Sequence, residues 1–174
     1  MKRLDRLKAF FVDKQFVRKR DFLRSLSLFS GLSNRELGSL LQMFHSRVYQ
    51  EGEIVFQEGD IGRALFVVES GKVALTRRTQ DGKDRAVAEL GPGSFFGEMA
   101  LLEQLPRSAA AVAKEKSALL LLYRSKLDEI LRQHPHIGVS IMMHLAQLLS
   151  ARLRRANQSV PAAIAAESAE QTPA

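Results

Sequence analysis

The chain has 174 residues, 45% of them apolar, enough to build a single core with ends to spare. It contains no cysteine, which excludes disulfides and thiolate metal sites. The net charge of +7 is concentrated in residues 1–24, which hold nine Lys or Arg against three Asp. The rest of the chain is near neutral, so the body is not a basic nucleic-acid surface and its charge acts through an N-terminal arm.

Residues 2–26 read mainly as helix, with a break expected at Asp13-Lys14-Gln15, where the apolar stripe is interrupted. The apolar run from Ala9 to Val12 is too short for a signal peptide, and no stretch approaches a transmembrane helix in length. These features point to a soluble cytoplasmic protein. The arm, residues 1–27, has three readings. It packs on the body through Leu4, Leu7, Phe10 and Phe11; it lies on an anionic membrane surface through residues 1–24; or it docks an acidic partner or nucleic acid. Liposome sedimentation at low salt without binding would remove the membrane reading.

Ser33 with Glu36 three residues on forms a capping-box pattern, followed by Leu37, Leu40, Leu41 and Phe44 at helical core spacing. From Arg47 to Tyr123 the chain changes character. Segments such as 53–57, 64–69, 72–77 and 83–90 alternate with glycine-containing turns, and Gln80-Asp81-Gly82-Lys83 is a hairpin signal. Many short strands with regular turns predict a sandwich or barrel. Helix returns at Ser125, with a second capping-box pattern to Asp128, and stops near His134-Pro135. Pro135 suits the first turn of a last helix, expected to reach about Asn157 with Ile137, Ile141, Leu145, Leu148 and Leu149 on one side. Residues 158–174, rich in Ala, Pro, Ser and Glu, read as a disordered tail.

The densest chemistry lies between Phe95 and Ala110. Gly97 lets the backbone approach a ligand closely, and Glu98-Met99-Ala100-Leu101-Leu102 can form one helical turn with free N–H groups. Arg107 offers a planar fork of donors to two phosphate oxygens. Glu98 would repel a phosphate, so it suits a neutral donor such as a sugar hydroxyl. A pocket for a singly charged phosphate attached to a sugar, a cyclic nucleotide, needs this set. The four histidines are isolated or flank Pro135, which favours capping or surface roles over a metal site, and no catalytic constellation stands out.

These residues closely resemble the phosphate-binding cassette of the cyclic-nucleotide-binding domain family, which includes the catabolite activator protein, protein kinase A regulatory subunits and nucleotide-gated channels. Glu51-Gly52-Glu53-Ile54-Val55-Phe56-Gln57-Glu58-Gly59-Asp60 is similar to the family's early hairpin. Leu65 to Val73 is similar to the strand-turn-strand that follows, and Gly91 to Glu98 to the lead-in to the cassette. The resemblance covers about residues 28–156. It implies a mainly β double-sheet jelly roll with N-terminal helices and two C-terminal helices, with the binding domain at 28–157.

By the same resemblance, Glu98 accepts from the ribose 2′-hydroxyl and Arg107 pairs with the cyclic phosphate. Backbone N–H groups of Ala100, Ser108 and Ala109 complete the cradle beside Gly97 and Met99. Leu75, Val87 and Phe95 line the base and ribose. The bacterial activators read adenine through a Thr-Ser pair on the last helix; here that place holds Arg152-Leu153, so Arg152 is a candidate lid over the base. Ser108 resembles the serine of the cyclic-AMP activators, which favours cyclic AMP over cyclic GMP.

The expected function is a stand-alone cyclic-nucleotide sensor, not an enzyme, that repositions its last helices and signals to a separate effector protein. No helix-turn-helix is expected after the last helix, hence no sequence-specific DNA binding. The last helix is a lid, a homodimer seam, or both. The alternatives are a jelly-roll scaffold with a weak or unused pocket and, less in keeping with the histidine spacing, a metal-dependent jelly-roll enzyme.

Overall fold

The structure is a computed structural model. It describes the backbone of residues 2–79, 81–103 and 105–170, and the side chains of residues 14–157 apart from 80, 104 and 156. Helix α1 (Lys2–Ser25) is followed by a 3₁₀ turn (Ser27–Phe29), α2 (Asn34–Leu41), and strands β1 (His45–Tyr49), β2 (Ile54–Phe56), β3 (Ala64–Ser70), β4 (Val73–Arg78), β5 (Asp84–Leu90) and β6 (Phe95–Phe96). Then come the one-turn helix α3 (Met99–Leu102), strands β7 (Ala110–Ala113) and β8 (Ser117–Tyr123), and helices α4 (Arg124–Gln133) and α5 (Pro135–Glu170).

The strands form two antiparallel four-stranded sheets, ordered β1-β8-β3-β6 and β2-β7-β4-β5. This is the jelly roll with flanking helices that the motifs implied. Neighbouring residues of β3 and β8 point to opposite faces, and both faces are buried. Phe66, Val68, Leu119 and Leu121 meet Phe96, Val73 and Ala111 between the sheets. Leu65, Val67, Leu120 and Leu122 face the helices, against Leu23, Phe29, Leu37, Ile130, Ile137, Ile141 and Leu145. Burial on both faces explains why β8 reads as an unbroken leucine run and not as an alternating strand.

Ser33 caps α2 as expected: its hydroxyl accepts from the Glu36 N–H, and the Glu36 carboxylate accepts from the Ser33 N–H at 2.8 Å. The second capping box does not form. Helix α4 starts one residue earlier, at Arg124, whose N–H donates to Arg63 O at 2.9 Å. With that first donor satisfied by the loop before β3, Ser125 lies inside the helix and not at its cap.

The break expected at residues 13–15 is absent, and α1 runs through it. Lys14 and Gln15 are good helix formers on the exposed face, while Phe16, Phe22 and Leu23 pack against α2 and the core. The packing assigned to Leu4, Leu7, Phe10 and Phe11 lies outside the described side chains. The Lys19 ammonium donates to Ser46 Oγ at 2.6 Å, which ties the end of α1 to β1. The backbone of α5 continues past Asn157 to Glu170, beyond the end expected for the last helix. Alanine-rich sequence loses little side-chain entropy in a helix. Residues 171–174, and Gln80 of the hairpin turn, lie outside the described residues.

Between α4 and α5, Pro135 opens the new helix, and Gly138 allows a close approach. A Cβ there would lie 2.6 Å from Leu131 Cδ2 and 3.1 Å from Leu131 Cα. The histidines serve local contacts: His136 Nδ1 meets Glu36 Oε1 at 2.8 Å, and His144 lies between Ser30 Oγ and Ser140 O. No helix among the described residues is long and apolar enough to cross a membrane.

Candidate functional site

A cavity of about 330 Å³ opens between the β4–β5 side of the sandwich, the α3 turn and the last helix. That is the lower end of the range for small-molecule sites. One wall is apolar, built from Phe56, Leu75, Ala88, Leu90, Phe95 and Phe96. The other holds Gly97, Glu98, Met99, Ala100, Arg107, Ser108 and Ala109, with Arg152 above.

Arg107 is half-buried. Its Nη1 donates to Gly97 O at 3.0 Å and its Nη2 to Ala64 O at 2.8 Å, while the guanidinium carbon sits 4.3 Å from the Phe56 ring centre. Burial pulls its pKa down, and the charges of Glu98 and Asp60 push back. Among the described residues no carboxylate forms an ion pair with it. A guanidinium has five N–H donors, and two carbonyls occupy two of them. The remaining donors, on a group without an ion-pair partner, are of the kind that an anion can accept from.

Gly97 sits directly under this group at φ 71°, the left-handed region. A Cβ there would lie 2.5 Å from Arg107 Nη1, so glycine both permits the turn and lets the guanidinium rest on the backbone. The α3 turn forms as expected. Its Ala100 N–H, however, already donates to Gly97 O at 3.2 Å, so in this arrangement it closes the turn and is not free for a ligand.

Glu98 is 8% exposed. Its Oε1 accepts from Arg152 Nη1, and the Arg152 guanidinium carbon lies 5.0 Å from the Phe95 ring centre. Arg152 Nη2 also reaches Phe95 O at 3.4 Å. Arg152 therefore borders the cavity beside the Phe95 ring, with its charge anchored on the Glu98 carboxylate. Glu98 lines the cavity, and its second carboxylate oxygen retains its acceptor capacity.

One expected lining residue is not there. Val87 is 57% exposed and does not border the cavity. Leu75 pairs with Ala88 but Thr76 pairs with Ala86, so Val87 is the extra residue of a β-bulge, turned outward. Ala88 and Leu90 line the wall instead, a pair that alternation along β5 would have found. Glu103, Leu105 and Pro106 complete the rim and were also missed. Pro106 is placed there by a bridge to Ile61, a long-range pairing without a local signal.

The cyclic nucleotide-binding domain family matches residues 46–134. The chain is 42% identical over 135 residues to the cyclic AMP receptor protein of Thermus thermophilus, covering 78% of this chain and 61% of that protein. It is 36% identical over 110 residues to a cAMP-dependent protein kinase regulatory subunit of Yarrowia lipolytica, covering 63% of this chain and 28% of that one. The crystal structure of the Thermus thermophilus catabolite activator protein aligns with a TM-score of 0.71 at 42% identity, over 78% of this chain and 62% of that one. A cyclic nucleotide-binding domain from Methylobacillus flagellatus aligns with a TM-score of 0.74 at 28% identity, over 85% and 83%. The chain thus spans about three fifths of the length of the curated relatives it matches first. With sheet order, cassette and sequence in agreement, the chain belongs to the cyclic nucleotide-binding domain family, a family of regulatory binding modules.

Proposed function

We propose that residues 28–157 form a cyclic-nucleotide sensor that binds cyclic AMP in preference to cyclic GMP and has no catalytic activity of its own. The carrying observation is Arg107: a half-buried guanidinium held by two carbonyls, without a carboxylate partner, at the wall of an apolar cavity. The cyclic phosphate takes its remaining donors. The ribose hydroxyl donates to Glu98 Oε2, and the base lies along Leu75, Ala88 and Phe95 under Arg152. The preference for cyclic AMP is supported by Ser108 and by relatives named for that nucleotide, including a Toxoplasma gondii kinase regulatory domain crystallised with it.

The sensor acts in the cytoplasm and passes its signal to a separate effector protein. The Glu98–Arg152 pair links the ribose position to α5, so a ligand that changes this pair changes the population of α5 arrangements. It does so only by its difference in affinity for them. The outward stripe of α5 pairs with a second copy of the chain. Val139, Met143, Ala146, Ser150, Leu153 and Asn157 are all exposed and alternate at intervals of four and three, the spacing of a coiled-coil seam.

Calorimetric titration of ligand-stripped protein with cyclic AMP and cyclic GMP tests the reading. The expected result is micromolar or tighter binding that Arg107→Leu weakens by about two orders of magnitude, the loss of two charge-assisted hydrogen bonds. Absence of heat with either nucleotide, from folded protein, would leave the jelly-roll scaffold as the better description.

A further inference from the structure

The β4–β5 hairpin carries two charges that the cavity described above does not use. Arg77 and Arg85 stand directly opposite each other in the ladder, so both side chains leave the same face of the sheet. Further along the hairpin the same face lines the cavity, through Leu75 and Ala88. Along β4, Val73 is in the core between the sheets, Leu75 lines the cavity, and Arg77 continues the alternation. Thr76, Arg78 and Asp84 border a separate hollow on the outer face. Arg77 Nε donates to Ser108 O at 3.0 Å, which ties the hairpin to the residue following Arg107.

The bulge at Val87 creates this pairing. In an unbroken ladder from the Leu75–Ala88 pair, Arg77 would face Ala86, and Arg85 would point outward opposite Arg78. One extra residue reverses the parity of everything beyond it. Asp84 therefore turns out, opposite Arg78, and Arg85 turns in, opposite Arg77. Two like charges directly across a ladder repel.

Among the described residues neither arginine has an ion-pair partner, and three acids of the neighbourhood are engaged elsewhere. Asp81 pairs with Lys83, Glu89 pairs with Lys72, and Glu58 accepts from the Arg78 N–H. The hairpin thus presents two guanidinium groups without a carboxylate partner, Arg77 being tied to the carbonyl of Ser108, which lines the cavity beside Arg107.

We propose that Arg77 and Arg85 form a second anion subsite at the mouth of the cavity, which takes a second phosphate of the same ligand. The pocket then prefers a cyclic dinucleotide, with two phosphodiesters, to a cyclic mononucleotide. This rests on the reading of Arg107 as the anchor of the first phosphate. Arg107, half-buried, holds the inner phosphodiester. The exposed pair holds the outer one bidentately, and the second nucleoside lies over the hairpin, mostly in solvent.

The test is calorimetric titration of the full chain with cyclic AMP, cyclic di-AMP and cyclic di-GMP. It compares wild type with Arg85→Gln and with the outward-facing control Arg78→Gln, each checked for folding by circular dichroism. Arg85 is the better variant because Arg77 also supports the Ser108 carbonyl. At least one cyclic dinucleotide is expected to bind about tenfold or more tighter than cyclic AMP, the worth of one charge-assisted hydrogen bond, with the advantage shrinking at high salt. Arg85→Gln should erase that advantage and leave cyclic AMP within about twofold, while Arg78→Gln changes neither. Equal affinities, or an advantage that survives Arg85→Gln, overturn the subsite; if cyclic AMP still binds, the Arg107 anchor stands. Silence from all three nucleotides overturns the anchor and the subsite together.

Discussion

Arg107 and Arg152 carry the same charge into the same cavity and do different work, because their partners differ. Arg107 rests on two neutral carbonyls and has no ion-pair partner among the described residues. Arg152 is bound to the Glu98 carboxylate and offsets a negative charge at the cavity wall. Removing Arg152 exposes a bound anion to that carboxylate and opens the roof over Phe95. Arg152→Ala is therefore expected to weaken cyclic AMP binding about tenfold, in the range of one interaction between charged groups, read by titration calorimetry. Unchanged or tighter binding would mean that Arg152 competes with the ribose for Glu98.

Elements are set by signals of different reach. The α2 cap is local: Ser33 and Glu36 satisfy each other within one turn, and the sequence pattern was sufficient to place it. The Ser33 hydroxyl, then the Ser33 N–H and His136, hold the Glu36 carboxyl below its ordinary value of 4.5. A lowered carboxylate pKa adds stability above the unfolded value, and that stability is lost as pH falls through the folded one. Glu36→Ala should cost about 1 kcal/mol in urea unfolding at pH 7, typical of a lost cap, with the gap to wild type narrowing below pH 4.5. A gap unchanged in acid would show that the carboxylate's charge is not involved. The pattern at Ser125 and Asp128 is of the same kind and failed, because Arg63 O, from the loop before β3, captured the first helical N–H. The Val87 bulge lies beyond local reach as well, since it exists only in the register of two strands.

At the scale of the whole molecule, sheet β1-β8-β3-β6 is the wall between two cores, one inside the sandwich and one under the helices. The buried side of α5 joins the helical core through Ile137, Ile141 and Leu145, and its outer side leaves Val139, Met143 and Leu153 at 57%, 59% and 62% exposure. Leu153 adjoins Arg152, so a second copy on this stripe would sit at the edge of the nucleotide cavity. Sedimentation equilibrium is expected to give a dimer at micromolar concentration, and Met143→Glu with Leu153→Glu a folded monomer, because buried like charges oppose an apolar seam. A wild-type monomer at that concentration would discard the seam.

The strand pattern reached only a sandwich or barrel, which the resemblance narrowed to a jelly roll, while the sequence by itself determined the α2 cap, the Pro135 junction and the glycine at the left-handed position 97. In each case the chemistry lies within a few consecutive residues: a glycine for a positive φ, a hydroxyl and a carboxylate three apart, a proline at a first turn. Tertiary structure alone decided which strand residues face the cavity, that Arg107 rests on Ala64 O and Gly97 O, that Arg152 meets Glu98, and that Arg85 turns inward opposite Arg77. These depend on register and on pairs 10 to 54 residues apart, most of them set only when the sheets close on one another. A one-residue bulge reverses which face a side chain occupies, and short-range patterns carry no record of it.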